Sequence, residues 1–346
     1  MNRRISILDN KLINIKEFNN CESKISKWYN KQSKILSIIT NPYNTSLIFI
    51  NIIKALIKEN NKILYVWNGE DCNREIIESL KKDDIKFKYS YMEEKEMNDN
   101  LVFINFKNIR NIKNSYELCI IDDISKYSTL SKEEIREGIE YLYLYSKRII
   151  SYSIEKIINM GTSFDIADLI RREVFVEPRI ITTRVKLDED MPYTLYDYLM
   201  WFKSNNRKVI IYVPNEEKIN KIFNYYTDEL KIKDIKIIKF LKNNTIKDIE
   251  QIYKIKNKSA FIITNNIREY AGDEGNIDVV VLFADEAIYN YKKILYFCAD
   301  VGKNIKNKYM GEVLLVGKDI SEDMDLAKNM ARSYNKNIWE KGLLSY

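Results

Sequence analysis

Short runs of consecutive apolar residues alternate along most of the chain with segments whose apolar residues have helical spacing. Lys34–Ile39, Lys62–Trp67 and Glu117–Ile121 are such runs, and Ser131–Leu144 is a helical segment that opens with the capping-box pattern Ser-Lys-Glu-Glu. A strand that is apolar on both faces belongs in a parallel sheet covered by helices on both sides. The sequence therefore predicts an α/β fold with parallel sheets.

The alternation occurs twice, once on each side of a segment that departs from it. Glu177–Asp190 combines a proline, a pair of threonines and three consecutive acidic residues, a composition typical of a connection between domains. The length of 346 residues also suits two domains. We predict an N-terminal arm over residues 1–32, a first domain over 33–185 and a second domain over 186–346.

Histidine is absent, and the four cysteines, Cys21, Cys72, Cys119 and Cys298, lie far apart in the sequence. The absence of histidine excludes Ser-His-Asp and Cys-His catalysis and most zinc enzyme sites. Because there is no Cys-x-x-Cys pair, we predict neither a metal site nor a disulfide framework. Cys119 and Cys298 have apolar neighbours and are predicted to be buried. Reduced thiols, with no signal peptide or long apolar stretch, predict a cytoplasmic protein without a membrane span.

The net charge of +6, from 56 Lys and Arg against 50 Asp and Glu, is small for a chain of this length. The composition favours Lys, Ile, Asn and Tyr, as an AT-rich genome would, so much of the lysine is background. Charge alone therefore favours ordinary solvated surfaces over a nucleic-acid partner.

Ligands of parallel α/β sheets bind at the carboxyl ends of the strands, and two such ends carry candidate residues. Asp122 and Asp123 follow the strand at Glu117–Ile121, where a nucleotide-hydrolysing protein holds magnesium and orients a water. A helix cap or a solvated strand end would use the same two residues. Asn41–Thr45 follows the first strand, where a phosphate-binding loop needs glycines, a lysine and Ser or Thr. This loop has neither glycine nor lysine, and only Thr45 has a suitable side chain.

Several short motifs resemble, in their order and spacing, those of ComFA, a family of superfamily 2 helicase-like ATPases of bacterial DNA uptake. Glu117–Tyr127 resembles its Asp-Glu box, Ser151–Ser153 its Thr-Ala-Thr element and Val209–Asn215 its motif IV. Phe261–Tyr270 is similar to motif V, and Ile294–Lys303 falls at motif VI. The resemblance covers nearly all of the chain beyond the N-terminal arm. It implies two tandem RecA-like domains of the P-loop NTPase type.

The residues that would hydrolyse ATP depart from that family. The Walker A Gly-Lys-Thr appears as Tyr43-Asn44-Thr45, and the two arginines of motif VI appear as Asp300 and Lys303. Phosphoryl transfer depends on positioned positive charge, and an arginine finger alone is worth on the order of 10³–10⁵ in rate. We therefore expect a pseudo-ATPase, with Mg-ATP as cofactor only if the nucleotide site is retained. The vestigial catalytic pair is Asp122 and Asp123. The remnants of the nucleotide site are Asn44, Thr45, Asp122 and Lys303.

The resemblance also implies a nucleic-acid track on the loops after other strands, where polar and basic side chains can hydrogen-bond phosphates. The predicted contacts are Asn68, Lys107, Asn108, Arg110, Asn215, Thr264, Asn265 and Arg268. The same polar residues would also suit turns, and Trp67, which could stack on a base, suits a core position better. The implied partners are single- or double-stranded DNA and a protein resembling ComFC.

Three other hypotheses stay open. The chain could be an active ATP-dependent DNA helicase or translocase with atypical motifs, which would depend on Asp122. It could be an unrelated two-domain α/β enzyme, such as a glycosyltransferase with two Rossmann-like halves. It could also be a decaying gene product with no selected activity.

Overall fold

All of the strand pairs that the structure describes are parallel, as the apolar runs predict. The chain divides into two units, Met1–Arg171 and Arg172–Tyr346, each with its own sheet. The structure, a computed structural model, describes residues 14–42, 44–82, 86–93, 98–126, 128, 130–166, 169, 174–230, 232, 234–241, 258–266, 277–301 and 311–340.

The described strands of the first unit form a seven-stranded sheet in the order β3-β4-β2-β5-β6-β1-β7. They are β1 (Ile35–Ile39), β2 (Ile63–Trp67), β3 (Tyr89–Met92), β4 (Leu101–Asn105), β5 (Tyr116–Asp122), β6 (Ser146–Ser153) and β7 (Thr162–Asp165). The apolar runs predict the inner strands, which are buried on both faces. The edge strands β3 and β7 have more polar sequences, because one side of an edge strand faces away from the sheet.

The described α-helices of the first unit are α1 (Ile15–Asn30), α2 (Ile50–Lys58), α3 (Arg74–Lys81) and α4 (Lys132–Leu142), with 3-10 segments at Ser46–Phe49 and Phe106–Asn111. Part of the predicted N-terminal arm is therefore a regular helix. In α1, Asn14 caps the first turn and the buried side chains include Cys21 and Trp28. The Trp28 indole N–H donates to the carbonyl of Ile35 at 3.2 Å. The Tyr29 hydroxyl donates to Glu117 on β5 at 3.0 Å, which ties α1 to the sheet.

The described strands of the second unit form a six-stranded sheet in the order β10-β11-β9-β12-β13-β8. They are β8 (Arg179–Thr182), β9 (Lys208–Tyr212), β10 (Lys236–Phe240), β11 (Ala260–Thr264), β12 (Ile277–Leu282) and β13 (Val313–Gly317). Its described α-helices are α5 (Tyr193–Ser204), α6 (Glu216–Asn224), α7 (Tyr291–Val301) and α8 (Glu322–Glu340). The interpretation of Glu177–Asp190 as only a connection is wrong, because four of its residues form the edge strand β8.

Each unit has its own apolar core. In the first unit, Ile135, Ile139 and Leu142 of α4 pack with buried strand residues that include Cys119. Full burial of an aliphatic side chain of this size contributes about 1.5–3 kcal/mol. The predicted burial of Cys119 and Cys298 is confirmed, and both thiols are free. Burial raises the pKa of each of these two thiols.

A buried ion pair joins two elements at the amino end of the second sheet. Arg207, just before β9, donates from Nε and Nη2 to the carboxylate of Asp278 on β12 at 2.6 and 2.7 Å. The backbone N–H of Glu312 donates to the same carboxylate at 2.7 Å. Arg207 is 4% exposed and Asp278 is fully buried. The loop before β13 is thereby attached to β12 and β9.

Candidate functional site

The carboxyl edge of the first sheet gathers the predicted site residues of that unit. In a parallel sheet all strands end at the same edge, so the loops after β1, β2, β4 and β5 lie beside one another. These loops contain Thr45, Asn68, Lys107 and Asp122. The inner strands of the sheet fix the positions of these loops.

Asp122, the last residue of β5, is 2% exposed and accepts four hydrogen bonds from the protein. The backbone N–H groups of Ile124 and Ser125 donate to its Oδ1 at 3.0 and 2.9 Å. The hydroxyls of Tyr65 and Ser125 both donate to its Oδ2. A carboxylate has about four lone-pair sites, so these donors use its whole accepting capacity.

Two titratable groups meet in this network. Burial raises the pKa of Asp122 above its ordinary value, although the four donors act in the opposite direction. Burial, and then the charge of Asp122, raise the pKa of the Tyr65 hydroxyl far above its ordinary range. Tyr65 therefore stays protonated and able to donate.

Asp123 follows Asp122 and is also buried, at 3% exposure. Its backbone N–H donates to the carbonyl of Tyr152 on β6 at 3.0 Å, which continues the ladder between β5 and β6. Neither acidic residue of the pair is a solvated strand end. The sequence left open that Asp122 and Asp123 form a solvated strand end, and this alternative is wrong.

The loop after β1 is closed by its own side chains. The Asn44 amide donates to the Thr40 hydroxyl at 2.7 Å, and its oxygen accepts from the backbone N–H of Thr45 at 2.9 Å. The Thr45 hydroxyl accepts from the N–H of Leu47 at 3.2 Å and so caps the 3-10 segment. Asn44 and Thr45 are 2% and 1% exposed. Two backbone amides of this region, those of Thr45 and Leu47, are therefore already hydrogen-bonded to side chains of the loop.

Neighbouring side chains hold this loop in place. The Tyr152 hydroxyl donates to the carbonyl of Thr45 at 3.1 Å, and its ring meets Phe49 edge-on with centroids 5.2 Å apart. The Ser46 hydroxyl donates to Glu75 and accepts from the Asn73 amide, both at 3.3 Å. The loop is thus joined to β6 on one side and to α3 on the other.

Tyr65 and Tyr152 were not identified from the sequence as residues of this site, although the position of each could be read there. Tyr65 stands two residues before the end of β2, and β2 pairs with β5 so that Trp67 lies opposite Asp122. Tyr152 occupies the middle of the element that resembles Thr-Ala-Thr, where the family has a small residue. In each case a tyrosine near the end of a strand indicated a hydroxyl that could reach a neighbouring loop.

A cleft of about 510 Å³ opens between the carboxyl ends of β2 and β5. After β2 the chain runs to β3 on one side of the cleft, and after β5 it runs to β6 on the other side. The cleft therefore lies at a topological switch point of the sheet. Its lining residues are Trp67, Glu70, Asp71, Cys72, Asn73, Arg74, Glu75, Ser125 and Lys126. Trp67 is half-buried rather than a core residue, and the Lys126 ammonium lies 5.7 Å from its ring centroid. A Cβ on Gly69 would lie 2.1 Å from the indole, so glycine is required beneath this ring.

The predicted nucleic-acid residues of the first unit lie near this edge. Lys107 and Arg110 are exposed, and Asn68 and Asn108 are half-buried. The Arg110 guanidinium lies 4.7 Å from the ring centroid of Tyr141, which holds it at the surface. Two exposed cations are therefore available beside the end of β4.

In the second unit the predicted residues differ in accessibility. Asn215 is exposed and caps α6 by accepting from the N–H of Lys218 at 3.0 Å. Thr264 is fully buried, and its hydroxyl accepts from the N–H of Asn266 at 2.9 Å. Asn265 is half-buried. The predicted residues Arg268 and Lys303 lie outside the described residues.

In the parts of the chain that the structure describes, no group of three or more Cys, Asp or Glu side chains is arranged to hold a metal ion. No described helix is both long and apolar enough to cross a bilayer.

Comparison with solved structures identifies the fold. The DExH-box NTPase HrpB of E. coli matches over 85% of this chain with a TM-score of 0.51 and 10% identity, and the match covers 40% of HrpB. The DUF1998 helicase MrfA bound to DNA and AMPPNP, and the same helicase bound to DNA, match with TM-scores of 0.46 and 0.48 at 11% and 12% identity. Each match covers 91% of this chain, and 50% and 48% of the respective MrfA chains. No family model matches the chain. No curated protein matches it either.

The chain shares its fold with HrpB. The prediction of two tandem RecA-like domains with parallel sheets is confirmed, and the likeness to HrpB carries it. The chain spans less than half the length of HrpB. The predicted domain limits at 33–185 and 186–346 stay predictions.

Proposed function

We propose that this chain is a helicase-type protein that binds nucleic acid and does not hydrolyse ATP. The proposal rests on the carboxylate of Asp122, whose hydrogen-bond acceptor sites are all occupied. In a helicase motor the equivalent acid binds magnesium through its hydration shell, and that requires a free lone pair. Here Tyr65, Ser125 and two backbone N–H groups fill every acceptor site.

The loop after β1 supports the same conclusion. A triphosphate needs backbone amides and a lysine, but Asn44 replaces the lysine and its own side chain binds the amide of Thr45. Thr45 is the remaining candidate for a magnesium ligand, but its hydroxyl accepts a hydrogen bond from Leu47 and caps Ser46–Phe49. ATP would have to break these buried hydrogen bonds, and each broken bond that leaves a buried group unpaired costs about 1–3 kcal/mol.

Exposed basic residues support the nucleic-acid half of the proposal. Lys107 and Arg110 stand at the carboxyl edge of the first sheet, and Asn215 stands at that of the second. Contacts of this kind to phosphates do not depend on an intact ATP site. The collinear motifs that resemble ComFA are the support for a proposed role in DNA uptake or processing, in the cytoplasm, with a protein resembling ComFC as the proposed partner.

Binding of fluorescein-labelled single- and double-stranded DNA, measured by anisotropy at several salt concentrations, tests the nucleic-acid role. We expect binding that weakens as salt is raised, because phosphate contacts release counterions. The double variant Lys107→Glu, Arg110→Glu should lose binding. The matched control is Lys27→Glu, Lys58→Glu, which reverses two exposed charges at the C-terminal ends of α1 and α2. Equal loss in both variants, or no binding at low salt, would contradict the proposal.

ATP turnover with and without DNA tests the second half. We expect no DNA-stimulated hydrolysis, and no magnesium-dependent binding of a fluorescent ATP analogue. Turnover that disappears in Asp122→Ala but persists in Asp71→Ala, which removes an exposed carboxylate of the neighbouring cleft, would instead establish an active translocase. A response to nucleotide sugars with none to DNA would favour the glycosyltransferase hypothesis.

A further inference from the structure

The edge strand β8 of the second unit has an open side. β8 pairs with β13 and ends the sheet. Its four residues are exposed or half-buried, in contrast to the fully buried β13. A strand with one unpaired edge is a template for the addition of another strand.

The backbone of β8 shows which groups face outward. In a parallel ladder, alternate residues direct their N–H and C=O to the neighbouring strand. Thr183, just after β8, donates from its N–H to the carbonyl of Gly317 on β13 at 2.9 Å. By alternation, Ile181 also faces β13, and the N–H and C=O groups of Ile180 and Thr182 face outward. Among the described residues, no backbone hydrogen bond fills this outer side outside the strand ladders.

Two helices turn this open edge into a groove. A cleft of about 530 Å³ runs along the strand, between Thr194 and Tyr198 of α5 and Lys328 and Arg332 of α8. The strand itself contributes Ile180 and Ile181, and the residues before it contribute Glu177 and Pro178. The groove therefore offers backbone hydrogen bonds, two aliphatic side chains and an aromatic wall.

The groove is rich in positive charge. Three cations line it, against the single carboxylate of Glu177. Arg332 pairs with Glu177 at 2.8 Å, and Arg179 pairs with Glu312 at 2.8 Å. Within the described residues, Lys328 forms no ion pair. Lys328 is therefore the cation of the groove that remains available to a ligand.

We propose that this groove binds an extended acidic segment of another protein, which adds to β8 as a further strand. Main-chain hydrogen bonds to Ile180 and Thr182 would supply affinity, and Lys328 and Arg332 would select carboxylates. A second copy of this chain is a poorer occupant. A second β8 groove would bring three cations and one carboxylate, and not an excess of carboxylates, to this edge.

Anisotropy with a short fluorescein-labelled peptide of alternating glutamate and valine tests the proposal. We expect this peptide to bind, and a peptide of alternating lysine and valine not to bind. Lys328→Glu should weaken binding by about tenfold or more, since a cation in the groove becomes a like charge. The matched control is Lys236→Glu, the same change on β10 at the opposite edge of the same sheet. It should leave binding unchanged.

Hydrogen exchange of the full chain separates strand addition from simple charge attraction. In the complex we expect slower exchange of the Ile180 and Thr182 amides, with β10 unchanged. Binding of the lysine peptide, equal losses in the two variants, or unchanged exchange at β8 would each overturn the proposal. A dimer that forms without peptide and protects β8 would overturn it in favour of self-association.

Discussion

Asp122 and its four donors show how the surroundings of one carboxylate decide its role. The donors come from β2 and from the turn after β5, so they are part of the fold itself. The identity of Asp122 could be read from the sequence, since it ends an apolar run. Its saturation could not, because the hydroxyl of Tyr65 reaches it across 57 residues of chain.

The pH dependence of stability tests the environment of Asp122. Because burial raises its pKa above the ordinary value of 3.8, the folded protein holds this proton more tightly than the unfolded chain. Below pH 3.8 the group is protonated in both states and its contribution is constant. As pH rises from there through the elevated pKa, the wild type should lose stability relative to Asp122→Asn. Urea unfolding of both proteins across this range measures the difference, and a relative gain of the wild type would contradict the raised pKa.

Tyr65→Phe tests the same network from the donor side. The change removes one of the four hydrogen bonds and leaves a buried carboxylate oxygen with one donor fewer. We expect a loss of about 1–3 kcal/mol in the free energy of unfolding. Tyr91→Phe is the control, since its hydroxyl donates to the carbonyl of Gly69 in a half-buried position. A smaller loss for Tyr65→Phe than for Tyr91→Phe would mean that the network contributes little.

Among the elements, the inner strands could be predicted from sequence, and the edge strands β3, β7 and β8 could not. Runs such as those of β2 and β5 are apolar because both faces are covered, and this pattern is visible without a structure. β3, β7 and β8 lack it, because an edge strand needs polar residues on its open side. For the N-terminal arm the sequence left an extended segment and short helices open, because the buried side chains of α1, which include Phe18 and Ile25, are widely spaced in a polar segment.

The turn into β7 depends on one glycine. Gly161 has a φ of +83°, and a Cβ there would lie 2.4 Å from the carbonyl oxygen of Ile35 on β1. Gly161→Ala should therefore reduce the free energy of unfolding by more than about 1 kcal/mol. Met160→Ala, at an exposed neighbouring position, should have little effect. Equal effects of the two changes in urea unfolding would rule out the strain argument.

The Arg207–Asp278 pair joins β9 and β12 and can be tested by a double-mutant cycle. Asp278→Leu alone leaves a buried guanidinium without its counter-charge, which should cost about 3–5 kcal/mol. Arg207→Met with Asp278→Leu removes both charges and should cost less than either single change. Additive losses in the cycle would show that the two side chains do not act as a pair.

At the scale of the whole chain, each unit has its own sheet and its own core. Domains with separate cores can unfold separately. We therefore expect calorimetry to resolve two unfolding transitions. Gly161→Ala should lower the midpoint of one and Asp278→Leu the midpoint of the other. A single transition shifted by both variants would show that the units unfold together.

The hydrogen bond from Tyr65 to Asp122 bears on how related chains should be compared. An acid retained at the end of a central strand is commonly taken as a sign of surviving chemistry. In this protein the hydroxyl of Tyr65, on the neighbouring strand, is one of the donors that hold the acid. Comparisons of related chains should therefore inspect the strand next to the acidic one, two positions before its end, as well as the acid itself.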